Sequence, residues 1–190
     1  MKPGRLTHTL AAAASAIALA AIAAPAAALA ATATVTGTVN AGTLSISTSA
    51  TPSFSVTLDG TDKTGTYTAA TTVTDATGSG SGWNLTITST QFTTGGGSPH
   101  TLSTSASSLT GVTNSCVGGA TCTSPTNSID YPVAVPAGST PPAAVKYFNA
   151  AANTGQGQFT NTPSVSVSVP ANTYAGSYTS TLTLAAVSGP

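Results

Sequence analysis

The chain has 190 residues, 40% of them apolar, yet only four Lys or Arg and four Asp or Glu, so its formal net charge is zero. With no basic or acidic patch to assemble, nucleic acid and anionic lipid are poor partners. Low charge does not mean disorder here, because the apolar residues recur periodically rather than at random.

Residues 1–30 read as a secretory signal peptide. Lys2 and Arg5 form a positive start, an Ala/Ile/Leu-rich run follows from Leu10, and Ala28 to Ala30 offer small residues for cleavage. Pro25 interrupts the apolar run and no stop-transfer pattern follows, which argues against a retained membrane anchor. Cleavage is expected between Ala30 and Ala33. It leaves one domain over residues 31–190, long enough to close its own hydrophobic core. Lys2 and Arg5 depart with the leader, so Asp59, Asp62, Asp75 and Asp130 face only Lys63 and Lys146, a net charge of −2 (two positive minus four negative).

From Ala33 onward, Val, Leu, Ile or Phe alternates with Thr or Ser. Strands with one buried and one wet face are predicted at residues 32–39, 42–48, 53–58, 83–90, 163–170 and 179–187. Thr suits such surfaces, since its branched side chain fits the pleat and its hydroxyl tolerates water. Gly, Pro, Asn and Asp clusters between them, such as "LDGTDKTGT", "DATGSGSG" and "TTGGGSPH", supply the dihedral angles that turns need. The stretch "PPAAVKYFNAAAN", residues 141–153, reads either as a short helix or, through Tyr147 and Phe148, as a strand. The expected fold is all-β, a single antiparallel sandwich of immunoglobulin-like type. Cys116 and Cys122 in "CVGGATC" are expected to form a disulfide in an exported chain, pinning a short loop.

Little in the expected mature chain suggests catalysis. It contains no Glu and no Arg, and its one histidine, His100, follows a glycine run. No nucleophile elbow accompanies the serines, and Asp59 with Asp62 is better explained as turn chemistry than as a carboxylate pair or a calcium site. No enzyme activity, cofactor or metal is expected. The sole tryptophan, Trp83, shares a strand face with Leu85 and Ile87, a pattern that suits a packing anchor and leaves a surface role open.

The tripeptide Trp83-Asn84-Leu85, followed by Phe92, resembles the first signature of the WxL-domain family of Gram-positive cell-surface proteins. The C-terminal run "YTSTLTLAAVSGP" resembles the second, through Tyr178, Leu182, Thr183 and Pro190. It departs where Leu184 replaces a second Trp and Ala186 replaces a Leu. The likeness spans the mature chain. It implies a secreted protein held non-covalently on the cell wall, with peptidoglycan as the ligand and other surface proteins as further partners. It also implies that the binding surface is built from Trp83, Asn84, Leu85, Tyr178, Leu182 and Thr183. The absence of an LPxTG-like motif before "VSGP" agrees with non-covalent attachment. Two alternatives stand beside this: a coat or pilin-like subunit that assembles by strand addition, for which the uncharged "SVSVSVP" run is the motive, and a secreted carbohydrate-binding module.

Overall fold

The computed structural model describes residues 31–119 and 121–190, so the expected signal peptide lies outside the described residues. Ten strands form: β1 (Leu44–Ser47), β2 (Lys63–Thr68), β3 (Thr71–Asp75), β4 (Trp83–Thr90), β5 (Ser107–Cys116), β6 (Val133–Ala134), β7 (Ala137–Gly138), β8 (Val145–Ala150), β9 (Gly157–Val169) and β10 (Leu182–Ser188). Six make one sheet in the order β1-β3-β9-β5-β6, with β2 also on β9; four make the other in the order β10-β4-β7, with β8 also on β4. Every pair is antiparallel except β4 with β7. The two sheets bury their inner faces against each other, as the alternation predicts. No helix occurs among the described residues, and the 141–153 stretch forms β8 at Val145–Ala150, with Tyr147 and Phe148 in the core.

β9 is the spine of the larger sheet. Phe159, Asn161, Pro163, Val165, Val167 and Val169 point inward while the residues between them are more exposed, a period of two along the whole strand. The "SVSVSVP" run is thus a central strand paired on both flanks, which removes it as the edge expected to drive assembly. β2 and β3 pair with one flank of β9 in a single register, Thr68 opposite Ser164 and Thr71 opposite Asn161. They are two strands because pairing lapses at Ala69 and Ala70, opposite Pro163, whose nitrogen carries no hydrogen to donate. Its carbonyl still accepts from the Ala69 N–H at 3.1 Å. On the other flank the register of β5 shifts between Leu109 and Gly111, a bulge that leaves Thr110 as the extra residue.

Trp83, Leu85, Ile87, Leu109, Tyr147, Phe159, Val165 and Val167 form the fully buried centre. One polar knot crosses it: Tyr147 Oη donates to Asn161 Oδ1 at 3.2 Å, and Thr71 Oγ1 donates to the Asn161 carbonyl at 3.0 Å. Cys116, at the end of β5, is joined to Cys122 as expected, with Cα atoms 6.2 Å apart.

Two predicted strands are absent. Residues 31–38 belong to a unit separate from Val39–Pro190 and carry no strand, although their sequence alternates. Residues 53–58 run extended and keep the alternation, with Phe54, Val56 and Leu58 half-buried against the core and Ser53, Ser55 and Thr57 exposed. Their backbone joins neither sheet. Phe54 instead lies over Gly65 of β2, where a side-chain carbon would collide with its ring, stacks on Tyr67 at 6.2 Å and meets Phe92 edge-on at 5.7 Å.

Candidate functional site

The two sequence signatures meet as neighbouring strands. β10 pairs with β4 so that Leu184 lies opposite Ile87, Ala186 opposite Leu85 and Ser188 opposite Trp83. Leu184 and Ala186 are partly buried against the same core that holds Trp83. The position at which the family pattern carries its second tryptophan is therefore an inward-facing packing position, and Leu184 fills it with a smaller side chain.

Trp83 itself has no exposed surface. Its indole Nε1 donates to the Gly155 carbonyl at 2.8 Å, and its ring packs 5.9 Å from Phe148 and 6.3 Å from Phe159. Gly155, at φ +72°, lies so close that an added side-chain carbon would sit 2.7 Å from Nε1. Burial thus resolves the open question of the tryptophan: the ring is a packing anchor, with no face turned to solvent on which a ligand could stack. Leu85 is equally buried. Asn84 points to the outer face, where it is covered and donates from Nδ2 to the Gly189 carbonyl at 2.7 Å. Of the remaining expected site residues, Leu182 packs against the core, Thr183 is exposed opposite Thr88, and Tyr178 is half-buried.

An accessible surface lies just beyond Tyr178. Backbone bonds in both directions between Thr93 and Thr179, at 3.0 and 2.9 Å, tie the segment after β4 to the segment before β10. The glycine run folds back on itself: Gly95 and Gly96 take φ of 68° and 80°, conformations that other residues adopt only with strain. Thr94 N–H donates to the His100 carbonyl at 3.0 Å, and His100 N–H donates to Thr94 Oγ1 at 2.9 Å. This turn delivers the His100 ring flat onto Tyr174, with centroids 3.9 Å apart and planes within 10°. Tyr174 is 65% exposed. Its loop is fixed by Tyr178 Oη donating to the Tyr174 carbonyl at 3.0 Å.

Alongside lies a groove of about 400 Å³ whose walls include Gln91, Thr93, Thr101, Ser139, Thr179 and Ser180. Thr101 follows His100 in the chain and Thr179 follows Tyr178, so groove and aromatic pair share the same two loops. The lining carries hydroxyl and amide groups and no ionisable side chain. No local pattern in the sequence marks His100 and Tyr174 as a pair, because the stack joins residues 74 positions apart. Among the signature residues, Tyr178 reaches this loop, through its hydroxyl on the Tyr174 carbonyl.

Ionisable groups elsewhere serve the scaffold. Asp59 binds Lys63 Nζ and receives Thr61 N–H and Oγ1, bonds that hold its carboxyl below the ordinary range. Asp62 accepts the Ala171 N–H at 2.8 Å. Burial pushes the Tyr67 phenol up to about 12 and raises Tyr147 and Tyr131 as well.

Comparison with known proteins gives one match: the model of the WxL domain, described as surface cell wall-binding, covers residues 31–190. No curated protein and no solved structure matches the chain. The match runs from the expected cleavage region through β10, taking in both signature strands and the loops that carry the aromatic pair. The chain belongs to the WxL-domain family of surface proteins that bind the cell wall.

Proposed function

We propose that this domain holds peptidoglycan without chemical turnover, through the His100–Tyr174 pair and the hydroxyl-lined groove beside it. The stacked pair carries the proposal. An exposed, pre-ordered aromatic face next to neutral donors and acceptors suits a sugar, whose C–H face packs on a ring while its hydroxyls exchange hydrogen bonds with Thr, Ser and Gln. Binding without turnover is supported by the groove lining, which has no carboxylate to work with the His100 imidazole, and by the stacking of that imidazole on Tyr174. The signature tryptophan contributes at one remove, by fixing β4 and the loop that follows it.

Co-sedimentation with Gram-positive peptidoglycan sacculi tests this. The mature protein is expected to pellet with sacculi, and Tyr174→Ala to lose most of that binding while keeping its stability, because the side chain is exposed and the Tyr174 carbonyl that Tyr178 uses is retained. With no charge in the groove, raising the salt to about 1 M should change retention little. Full binding by Tyr174→Ala, or binding abolished by salt, would overturn the proposal.

A further inference from the structure

Residues 51–58 have the geometry of a strand without the pairing. Over residues 53–58 burial alternates, and Phe54, Val56 and Leu58 fix the segment against the core. Among the described residues, none of its backbone N–H or C=O groups makes a hydrogen bond. Beside Thr51, Pro52 and Ser53 a groove of about 500 Å³ separates the segment from Thr66, Tyr67 and Thr68 of β2. A row of unpaired peptide groups held flat by packed side chains is a template for an added strand. Natural edges are commonly blunted by charge, yet no Lys, Arg, Asp or Glu occurs between residues 31 and 58.

The chain also carries a strand that lacks a partner. Residues 31–40, "ATATVTGTVN", alternate as strictly as any strand of the sandwich but form none. Val35 is 92% exposed and Val39 98% exposed, the two most exposed large apolar residues described. Ala33, Val35 and Val39 share one face and Thr32, Thr34, Thr36 and Thr38 the other. That matches the 53–58 segment, which has an apolar inner face and a hydroxyl outer face. At about 3.3 Å per residue the 51–58 edge spans about 26 Å and residues 31–40 about 33 Å, so the donor is long enough to cover the edge.

We propose that residues 31–40 of one copy add as a strand to the 51–58 edge of a second copy. Val35 and Val39 then continue the apolar face begun by Phe54, Val56 and Leu58, and the threonines continue the hydroxyl face. Donor and acceptor are different surfaces, so the contact is heterologous. Each bound copy still offers its own free edge, and association is open-ended rather than closing at a dimer.

Sedimentation velocity on the chain beginning at Ala31, over a hundredfold concentration range, tests this with two variants. Val35→Asp with Val39→Asp disables the donor, and Ser55→Lys with Thr57→Lys blocks the acceptor edge. All four positions are exposed, so folding is not at risk. The unaltered chain is expected to sediment faster with concentration, and each variant to remain a monomer at every concentration. Mixed in equal amounts, the two variants should give a species of two copies and nothing larger, since one supplies the strand and the other the edge. An unaltered chain that stays monomeric throughout, a variant that still associates alone, or a mixture that stays monomeric would each overturn the proposal.

Discussion

Replacing Trp83 with Ala removes the largest side chain from the centre of the sandwich. The indole has no solvent contact, packs on Phe148 and Phe159, and satisfies the Gly155 carbonyl. Truncating a buried aromatic costs about 3–5 kcal/mol, and the orphaned carbonyl keeps this site clear of the low end of that range, at about 4 kcal/mol. Against a typical total of about 5–15 kcal/mol this is a large fraction. At about 2–4 °C per kcal/mol for a domain of this size, Tm should fall by roughly 8–16 °C. Urea unfolding followed by far-UV circular dichroism measures the loss without a tryptophan signal, and the midpoint should drop with the slope unchanged. Trp83→Phe keeps much of the volume and removes the N–H, so its cost of about 1–3 kcal/mol isolates the hydrogen bond and the small residual cavity. A Trp83→Ala protein within about 1 kcal/mol of the parent that has lost sacculus binding would refute this, and would mean the ring faces the ligand.

Tyr67, Tyr131 and Tyr147 are all raised by burial, so between pH 10 and 12 the folded state holds protons that the unfolded chain has released. Stability should be complete below pH 10 and fall as the pH rises toward 12; urea midpoints at pH 8, 10 and 11 would show it, and a flat profile would contradict it. Replacing Cys116 and Cys122 with Ser opens a loop of only a few residues and should cost about 2 kcal/mol in the chain-entropy model. Thermal unfolding of the parent and the double variant measures that, and equal midpoints would show that the bridge contributes nothing.

Much of the sandwich was legible because period-two alternation is local: β1 and β4 fall within predicted strands, β10 overruns its predicted strand by one residue, and the second half of β9 coincides with the strand predicted at 163–170. β2 and β3 were hidden, since "KTGTYT" and "TTVTD" carry few large apolar residues and β2 begins inside a glycine- and aspartate-rich cluster. β8 was ambiguous because its alanines fit a helix, and the strand won by pairing with β4 and burying Tyr147 and Phe148. Residues 32–39 and 53–58 read as strands and lack the partner that would make them so, which no local pattern reports. In the candidate site, the two signatures lie on neighbouring strands and Tyr178 reaches the loop of the exposed aromatic pair, whereas Trp83 and Leu85, which the resemblance assigned to binding, are buried. A W-x-L spacing shows that Trp83 and Leu85 share a face and says nothing about which way that face turns.

The irregularity at Pro163 has a consequence for how the larger sheet yields. The lapse at Ala69–Ala70 and the bulge at Thr110 fall at nearly the same level on opposite flanks of β9. Above that level β9 is stitched to β2 and the start of β5; below it, to β3 and the rest of β5. The sheet is therefore two short ladders sharing a spine, and each can open at its own free-energy cost. The upper ladder borders the unpaired 51–58 segment, and an opening confined to it would leave in place the lower ladder, where Phe159 packs on Trp83. Under the strand addition proposed above, a rim that loosens locally while the brace stays shut would let copies exchange without passing through the unfolded state.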